Sequence, residues 1–575
     1  MVMSGGDSST NDGGGAGAEG ATRGGNGSRS ARPWWKRPNF LGIFFAVTTF
    51  GWALTPSLLP RPWIFEGVIA GLGAALGYGL GCLVSWLIRL TPLRERSATT
   101  KTWAWRVLAV WAVVLVVANL LYGTAMQNGV REAVGFEDEG YGYAALVGAV
   151  ALPVAIGAIY VGKGLRRFNR WIGRHLSRWI PAPLAFSIAV VLIGVLIYLA
   201  VTDVLFRGFA ALANSIYAGT NASTVAGIEQ PTSPQRSGSP ESLVAWDTLG
   251  MEGRNFVARG PKPADLTTFS GRDAHEPIRV YVGLDSAPTA QERAALAVKE
   301  LERTGAFDRA ALVVAGTTGT GWLEPQTVDT FEYEWNGDTA IAGIQYSYLP
   351  SWISTLVDVD KAKEAGDAIF EAVYAKWSTL PKDKRPQLFA YGLSLGSFSL
   401  QSAFNDAADI SARTDGAIFV GSPNFSQPWG QISADREPGS PQWKPIYQNG
   451  TTVRFAGQPS DLASPSGDWT TPRVAYVQHA NDSVVWWSAA LLFQQPDWLK
   501  EPPGPGRSPD MHWYPIITFL QVTVDQFMGV SVPDGQGHNY GGAMPAVWAD
   551  VTNPPGWTDA DTTRLTDLIL GMPIE

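Results

Sequence analysis

The chain has 575 residues, which is too long for one hydrophobic core, so at least two domains are expected. The net charge of −8 argues against a nucleic-acid partner. The single cysteine, Cys82, excludes an intrachain disulfide and a thiolate zinc site, and we expect no metal and no other cofactor.

Residues 1–38 are predicted to form a disordered cytoplasmic tail. Up to Arg32 this segment consists almost entirely of Gly, Ser, Ala, Asn, Asp and Arg, which bury too little apolar surface to fold. It also lacks the short apolar core of a cleavable signal peptide.

Residues 39–206 are predicted to form a transmembrane helical domain. A helix needs roughly 20 apolar residues to cross the hydrocarbon layer of a membrane. Five runs satisfy this length: Phe40–Leu59, Trp63–Leu90, Trp103–Met126, Tyr143–Gly162 and Pro183–Phe206. Few ionisable residues interrupt them, which favours a membrane anchor over a transport pathway.

The charges between these runs predict the orientation in the membrane. Lys and Arg are concentrated in residues 23–37, 89–106 and 163–178, whereas the other two loops contain few cations. The positive-inside rule therefore predicts a cytoplasmic N-terminus in the cell membrane, and five crossings would place everything after Phe206 outside. Gly73, Gly77 and Gly81 recur every fourth residue, as in closely packed helices, so the anchor packs on itself or forms a homo-oligomer.

Residues 207–276 are predicted to form an extracytoplasmic connector. Arg207–Val225 is mildly amphipathic and suited to lie along the outer membrane face, and Glu229–Pro240 has the composition of a linker.

Residues 277–575 are predicted to form an α/β domain with a mostly parallel sheet, because apolar strands alternate with helices. The predicted strands are Arg279–Leu284, Ala310–Gly316, Ala340–Tyr348, Leu388–Tyr391, Gly416–Gly421, Val453–Ala456 and Arg473–Gln478. The predicted helices are Thr289–Thr304, Asp358–Trp377, Ser397–Ala408 and Trp513–Met528, the last of these being the final long helix.

A G-x-S-x-G motif, Gly392–Gly396, lies between a predicted strand and a helix-compatible segment. A serine at such a turn has a strained backbone, and the glycines leave room for the strand and the helix. Ser394 is therefore the candidate nucleophile. The amide of Leu395 would point at the oxygen of an attacked carbonyl group.

A catalytic serine requires a base, and the base requires an orienting acid. In α/β hydrolases the chain order is Ser, then Asp or Glu, then His. Asp482 follows the strand RVAYVQ and is the predicted acid, with Asp461 as its competitor. The structural alternative is that Asp482 merely caps a helix over Ser483–Ala490.

Three of the five histidines follow Ser394 in the chain. His479 is too close to the proposed acid and is expected to shape its loop, and His512 lies among aromatic residues. His538, in the polar loop GQGHNYGG, is the predicted base, although a surface histidine with no catalytic role is the alternative.

The oxyanion hole needs two backbone amides, and we assign these to Leu395 and Thr317, with Thr318 as the next candidate. The Gly/Thr-rich loop that follows Gly316 lacks the Lys of a phosphate-binding loop. Trp322 and Trp486 are candidate substrate contacts near the site, and the alternative is ordinary core packing.

The motifs AGTTGTGW, YGLSLGS, HANDSVVWW and GQGHNY, together with the apolar N-terminal segment, resemble the membrane-anchored α/β-hydrolase family found mainly in actinobacteria. The similarity extends from about Asn39 to the C-terminus. It implies the α/β-hydrolase fold and supports Ser394, Asp482 and His538 as the catalytic residues, but it implies no substrate.

We therefore expect an extracytoplasmic serine hydrolase, of the carboxylic ester hydrolase class, that acts on a lipid or envelope glycolipid ester. One alternative is an acyltransferase that uses the same triad. A second alternative is a non-catalytic membrane scaffold with a hydrolase-like domain.

Overall fold

The computed structural model describes residues 38–90, 98–199 and 207–572. Almost all of the predicted tail and the end of the fifth predicted membrane run lie outside these ranges. The N-terminal part is helical, with α1 Phe40–Ala53, α2 Trp63–Ile88, α3 Ala98–Ala133, α4 Gly142–Leu176 and α5 Ala182–Leu199.

Three of these helices, α2, α3 and α4, are long and apolar enough to cross a membrane. Helices α1 and α5 are also apolar but shorter. The helical N-terminal region is therefore confirmed with three candidate membrane helices, and the predicted count of five is not confirmed.

The glycines of α2 pack against α1 of the same chain. A Cβ atom on Gly77 would lie 2.8 Å from the carbonyl carbon of Phe45, and one on Gly81 would lie 2.7 Å from Gly42 Cα. Only glycine permits this close approach of the two helices. The repeat thus has a role within one chain, and the homo-oligomer remains a prediction.

The α/β domain contains one sheet of seven parallel strands in the order β1-β3-β2-β4-β5-β7-β6. The strands are β1 Ile278–Val282, β2 Ala311–Gly316, β3 Thr339–Ile344, β4 Gln387–Leu393, β5 Gly416–Val420, β6 Val453–Ala456 and β7 Arg473–Val477. Nearly all their residues are buried, as expected for a parallel sheet covered on both faces. The predicted α/β class with a mostly parallel sheet is confirmed.

The remaining helices lie in the connector and around the sheet. They are α6 Arg207–Ala222, α7 Gly250–Ala258, α8 Pro263–Ser270, α9 Ala290–Thr304, α10 Pro325–Glu334, α11 Ser351–Val357, α12 Val359–Ser378, α13 Leu395–Gln401, α14 Ala407–Arg413, α15 Trp429–Ala434, α16 Ser483–Trp486, α17 Asp497–Lys500, α18 Ile517–Asp525, α19 Met544–Thr552 and α20 Asp559–Leu570.

The predicted helix over Trp513–Met528 was too long, and it is not the final long helix. Ile516 has a φ of +66°, outside the helical region, so α18 begins only at Ile517. Helix α20 follows it, with 12 residues and an N-terminal capping box formed by Thr558 and Asp561.

The connector packs into the α/β domain. Leu249, Phe256 and Val257 belong to the same hydrophobic core as the sheet. The segment predicted as a linker runs beside the edge strand β1, where Ser237 N donates to Arg279 O at 3.0 Å. Since this contact satisfies backbone groups of an edge strand, the segment is a structural part of the domain instead of a free linker.

The α/β domain also contacts the helical region directly. Tyr514 stacks on Trp52 at the end of α1, with ring centroids 4.9 Å apart, and Phe527 stacks on Phe65 near the start of α2, at 6.1 Å. Phe136, in the loop between α3 and α4, packs against the core of the α/β domain. The domain therefore contacts the α1–α2 and α3–α4 ends of the helices.

Candidate active site

Ser394 lies in the sharp turn between β4 and α13, with φ +58° and ψ −126°. Its amide donates to Val420 O of the neighbouring strand at 2.9 Å. A Cβ atom on Gly392 would lie 2.5 Å from Gly396 O, so glycine is required there. The strained turn presents the serine side chain at the carboxyl-terminal edge of the sheet, as in a nucleophile elbow.

Asp482 and His538 form a buried pair at the same edge. His538 Nδ1 and Asp482 Oδ2 are 2.7 Å apart, and Val484 N donates to Asp482 Oδ1 at 2.8 Å. Asp482 has no exposed surface. When Nδ1 carries the proton, Nε2 of His538 is left as the proton acceptor. Because Val484 lies in α16, Asp482 also caps that helix, so the structural alternative applies and the catalytic role remains a prediction that is compatible with it.

The His538 ring packs against the end of β5. A Cβ atom on Gly421 would lie 2.5 Å from His538 Cε1, and Gly421 directly follows Val420, the hydrogen-bond partner of Ser394. Within the described part of the chain, His538 Nε2 is buried without a hydrogen-bond partner, and it forms no hydrogen bond with Ser394. Catalytic hydrogen bonds of this kind are often long without substrate and tighten only when substrate binds.

The other candidates have different surroundings. Asp461 accepts from Lys444 Nζ at 2.8 Å and from Gly457 N at 3.0 Å, beyond the edge strand β6. His512 is exposed. His479 is buried, and its Nδ1 lies 2.8 Å from Gly537 O. Burial lowers the pKa of His479, so its imidazole remains neutral. Its hydrogen bond with Gly537 O fixes the residue that precedes His538.

Two comparisons with family models agree with this geometry. Residues 278–565 match a model described as an alpha/beta-hydrolase family, and residues 54–261 match the model of that family's N-terminus. The chain belongs to this α/β-hydrolase family. No curated protein and no solved structure matches it. Family membership confirms the resemblance noted in the motifs and supports a hydrolase-like function.

The two predicted oxyanion donors, Leu395 and Thr317, follow the adjacent strands β4 and β2. Leu395 is the first residue of α13, where the initial amides have no acceptor within the helix. A Cβ atom on Gly396 would lie 3.2 Å from the carbonyl carbon of Thr317, so the two loops are in contact. Thr318 N already donates to Trp322 O at 3.0 Å, which favours Thr317 as the second donor.

The two tryptophans differ in their environments. Trp486 has no exposed surface, and its Nε1 donates to His479 O at 3.0 Å, which favours the alternative of core packing over a substrate contact. Trp322 is only partly buried and lines a cavity of about 550 Å³. The cavity is lined by Val225, Met251, Glu252, Asn255, Phe256, Arg259, Arg279, Trp322, Leu323, Pro325, Val328, Asp329 and Val530.

None of the three catalytic candidates lines this cavity. Two of its lining residues, Trp322 and Val530, lie close to residues of the site. Trp322 O accepts from Thr318 N, next to the proposed oxyanion donor. Val530 follows Gly529, whose carbonyl oxygen accepts from His538 N at 2.7 Å. The cavity itself is lined mainly by α7 and α10, and it approaches the loops of Thr317 and His538 through Trp322 and Val530.

The sequence interpretation missed Tyr540. Its hydroxyl group donates to Asp482 Oδ2 at 2.5 Å, and its ring stacks on His479 with centroids 4.1 Å apart. Burial and the adjacent Asp482 carboxylate raise the pKa of Tyr540, so the phenol remains a hydrogen-bond donor. The signal was present in the sequence, because Tyr540 lies two residues after His538 in the motif GQGHNY.

Proposed function

We propose that this protein is a membrane-anchored serine hydrolase that cleaves a lipid or envelope glycolipid ester outside the cell membrane. The observation that carries the proposal is the buried Asp482–His538 pair beside the strained turn of Ser394. Membership of an α/β-hydrolase family supports the hydrolytic part.

The proposed reaction proceeds through an acyl-enzyme. Ser394 Oγ attacks the ester carbonyl carbon while His538 Nε2 takes the serine proton. The amides of Leu395 and Thr317 donate hydrogen bonds to the tetrahedral oxyanion. His538 then returns the proton to the alkoxide that leaves as the alcohol. A water molecule, deprotonated by His538, attacks the acyl-enzyme, which releases the acid and restores the serine hydroxyl group.

Asp482 is proposed to orient the imidazole and to stabilise its cationic form. A buried carboxylate is costly unless it is paired and hydrogen-bonded. Asp482 meets this requirement through His538, Tyr540 and Val484. These three partners fix both carboxylate oxygens, so the Nδ1 proton has a defined acceptor and Nε2 is free for proton transfer.

An exposed apolar surface supports a lipid substrate. Phe527 and Val530 are 44% and 68% exposed, and the Trp352 ring lies 5.6 Å from the Phe527 ring. Phe527 stacks on Phe65 near the start of α2, so this surface continues from the apolar helices. Contiguous exposed apolar surface is typical of membrane or partner contacts. Val530 also lines the cavity beside the site, which would connect the membrane surface with Trp322.

The proposed extracytoplasmic location combines the charge pattern with the domain contacts. The α/β domain contacts Leu58 and Leu59, between α1 and α2, and Phe136 of the α3–α4 loop, and these are the two cation-poor loops. The positive-inside rule places such loops outside the cytoplasm. A domain packed on them would therefore face the same side.

A fluorophosphonate probe tests the nucleophile in the full-length protein in phosphatidylcholine nanodiscs. We expect the wild type and a Ser402→Ala control to be labelled and Ser394→Ala to remain unlabelled. Ser402 is the C-cap of α13, and among the residues that the structure describes its hydroxyl group hydrogen-bonds only to Phe398 O and Ser399 O, so it is a matched control. Equal labelling of the wild type and Ser394→Ala would refute the proposal.

The lipid part is tested separately with two esters. Phe527→Glu introduces a charge into the apolar surface, so it should slow cleavage of a long-chain ester embedded in vesicles. Soluble p-nitrophenyl butyrate does not depend on this surface and should react as in the wild type. Loss of both activities in equal measure would contradict a role of this surface in lipid access.

A further inference from the structure

Residues 54–62 connect α1 to α2, and Leu58 and Leu59 of this segment are buried against the α/β domain. We refer to this segment as the α1–α2 connection. Leu58 and Leu59 have no exposed surface and belong to the same hydrophobic cluster as the central strands. Part of the membrane-associated region is therefore built into the core of the domain that carries the candidate active site.

Hydrogen bonds fix the α1–α2 connection to α18. Asp525, at the end of α18, accepts from Ser57 Oγ at 2.9 Å and from Leu58 N at 3.0 Å. Gln521, one turn earlier, donates through Nε2 to Thr55 O at 3.0 Å. Asp525 has no exposed surface, and breaking such a buried contact leaves polar groups unsatisfied. The position of α18 is thus coupled to the connection.

Two paths lead from this contact to the candidate base. In the first, α18 is followed by a 3₁₀ turn, Gln526–Met528, and then by Gly529, whose carbonyl oxygen accepts from His538 N at 2.7 Å. In the second, the side chain of Leu59 lies beside the residue that precedes His538. A Cβ atom on Gly537 would lie 3.4 Å from Leu59 Cδ2, which is van der Waals contact distance.

Gly537 is held on its other side by the catalytic loop itself. Its carbonyl oxygen lies 2.8 Å from His479 Nδ1, and its amide donates to Asn481 Oδ1 at 3.0 Å. Its φ of +54° is in the left-handed region, so the backbone at this point depends on its surroundings. Gly537 thus lies between the α1–α2 connection and the loop that carries Asp482.

We propose that the α1–α2 connection is a positioning element for His538, so that the helical N-terminal region takes part in building the active site. Leu59 is the main positioning residue, and Ser57 acts through Asp525. This inference rests on the proposed serine hydrolase function. It adds that the α/β domain reaches full activity only when the α1–α2 connection is packed against α18 and Gly537.

The test uses full-length protein in phosphatidylcholine nanodiscs and p-nitrophenyl butyrate as the probe. Leu59→Ala removes the side chain that packs on Gly537. A displacement of a catalytic group by about 1 Å can cost about a hundredfold in rate. We therefore expect kcat to fall by between about tenfold and about a hundredfold, with KM within about twofold of the wild type. Leu59→Met keeps the volume and should restore most of kcat.

The matched control is Ile369→Ala in α12, which also truncates a buried aliphatic side chain of the domain core. We expect a comparable decrease in melting temperature and a kcat near that of the wild type. If Leu59→Ala fails to fold, Ser57→Ala, which removes one hydrogen bond to Asp525, is measured instead and should lower kcat several-fold.

The inference is overturned if Leu59→Ala, or Ser57→Ala in its place, keeps the kcat of the wild type. It is equally overturned if Leu59→Ala and Ile369→Ala lose kcat to the same extent, because the effect would then be general destabilisation. Failure of the proposed function has a different signature, which is undiminished hydrolysis by Ser394→Ala.

Discussion

The Ser394 turn depends on the absence of a side chain at Gly392, which makes Gly392→Ala a sharp perturbation. The added Cβ atom would lie 2.5 Å from Gly396 O and 2.6 Å from both Gly396 C and Ser397 N. All three are backbone atoms, so no side chain can rotate away. Since non-bonded heavy atoms normally lie about 3.5 to 4 Å apart, the start of α13 must move by about 1 Å from β4.

That displacement would move Ser394 and the amide of Leu395 together, away from Thr317 and His538. A shift of about 1 Å at a reacting group can cost about a hundredfold, and we expect kcat to fall by about that factor. Overpacking should also reduce stability by about 1–3 kcal/mol. The assay is hydrolysis of p-nitrophenyl butyrate, together with a melting curve that shows the variant to be folded.

Gly467→Ala is the control, because a Cβ atom there meets no atom within 4 Å. It should retain the activity and stability of the wild type. A folded Gly392→Ala variant with a kcat within twofold of the wild type would refute the account of the turn.

Two further predictions concern buried acids and their partners. Tyr540→Phe removes the hydroxyl group that donates to Asp482, and such a hydrogen bond to a charged group is worth about 1.5 kcal/mol. We therefore expect kcat to fall about tenfold at unchanged KM. An unchanged kcat would exclude a role for the phenol. Burial raises the pKa of Glu324, the N-cap of α10, to about 7, above an unfolded value of about 4.3. The folded state therefore binds more protons between these values, and the free energy of unfolding should decrease by up to about 3 kcal/mol as the pH rises through this window. Glu324→Gln should reduce this slope in melting curves between pH 5 and pH 8, where Asp525, whose pKa burial raises to about 6, still titrates. An identical slope in the variant would contradict the assignment.

The local features of the site were predictable from the sequence because neighbouring residues determine them. The G-x-S-x-G turn requires glycines where a strand meets a helix, and the structure has that turn at Ser394. The Asp482–His538 pair was also predicted, although the residues are 56 positions apart. It followed from the chain order of α/β hydrolases and from the position of Asp482 after a strand.

The features that depend on distant contacts were not predictable. Composition does not distinguish a core tryptophan from one that lines a cavity, and the burial of Trp486 could not be predicted for this reason. Most of the α1–α2 connection was predicted to belong to the membrane run Phe40–Leu59, because no local pattern indicates a hydrogen bond to Asp525 that spans 468 residues of sequence. The predicted length of a helix was wrong where the backbone departs from helical geometry, as at Ile516.

The central claim is that Ser394 forms a covalent acyl-enzyme with the help of His538. Its most direct test is peptide mass mapping of the wild-type protein after reaction with a fluorophosphonate, alongside His538→Ala. We expect an adduct on the peptide that contains Ser394 and a much slower formation of that adduct in His538→Ala. An adduct on a different residue, or equal rates in the two proteins, would contradict it.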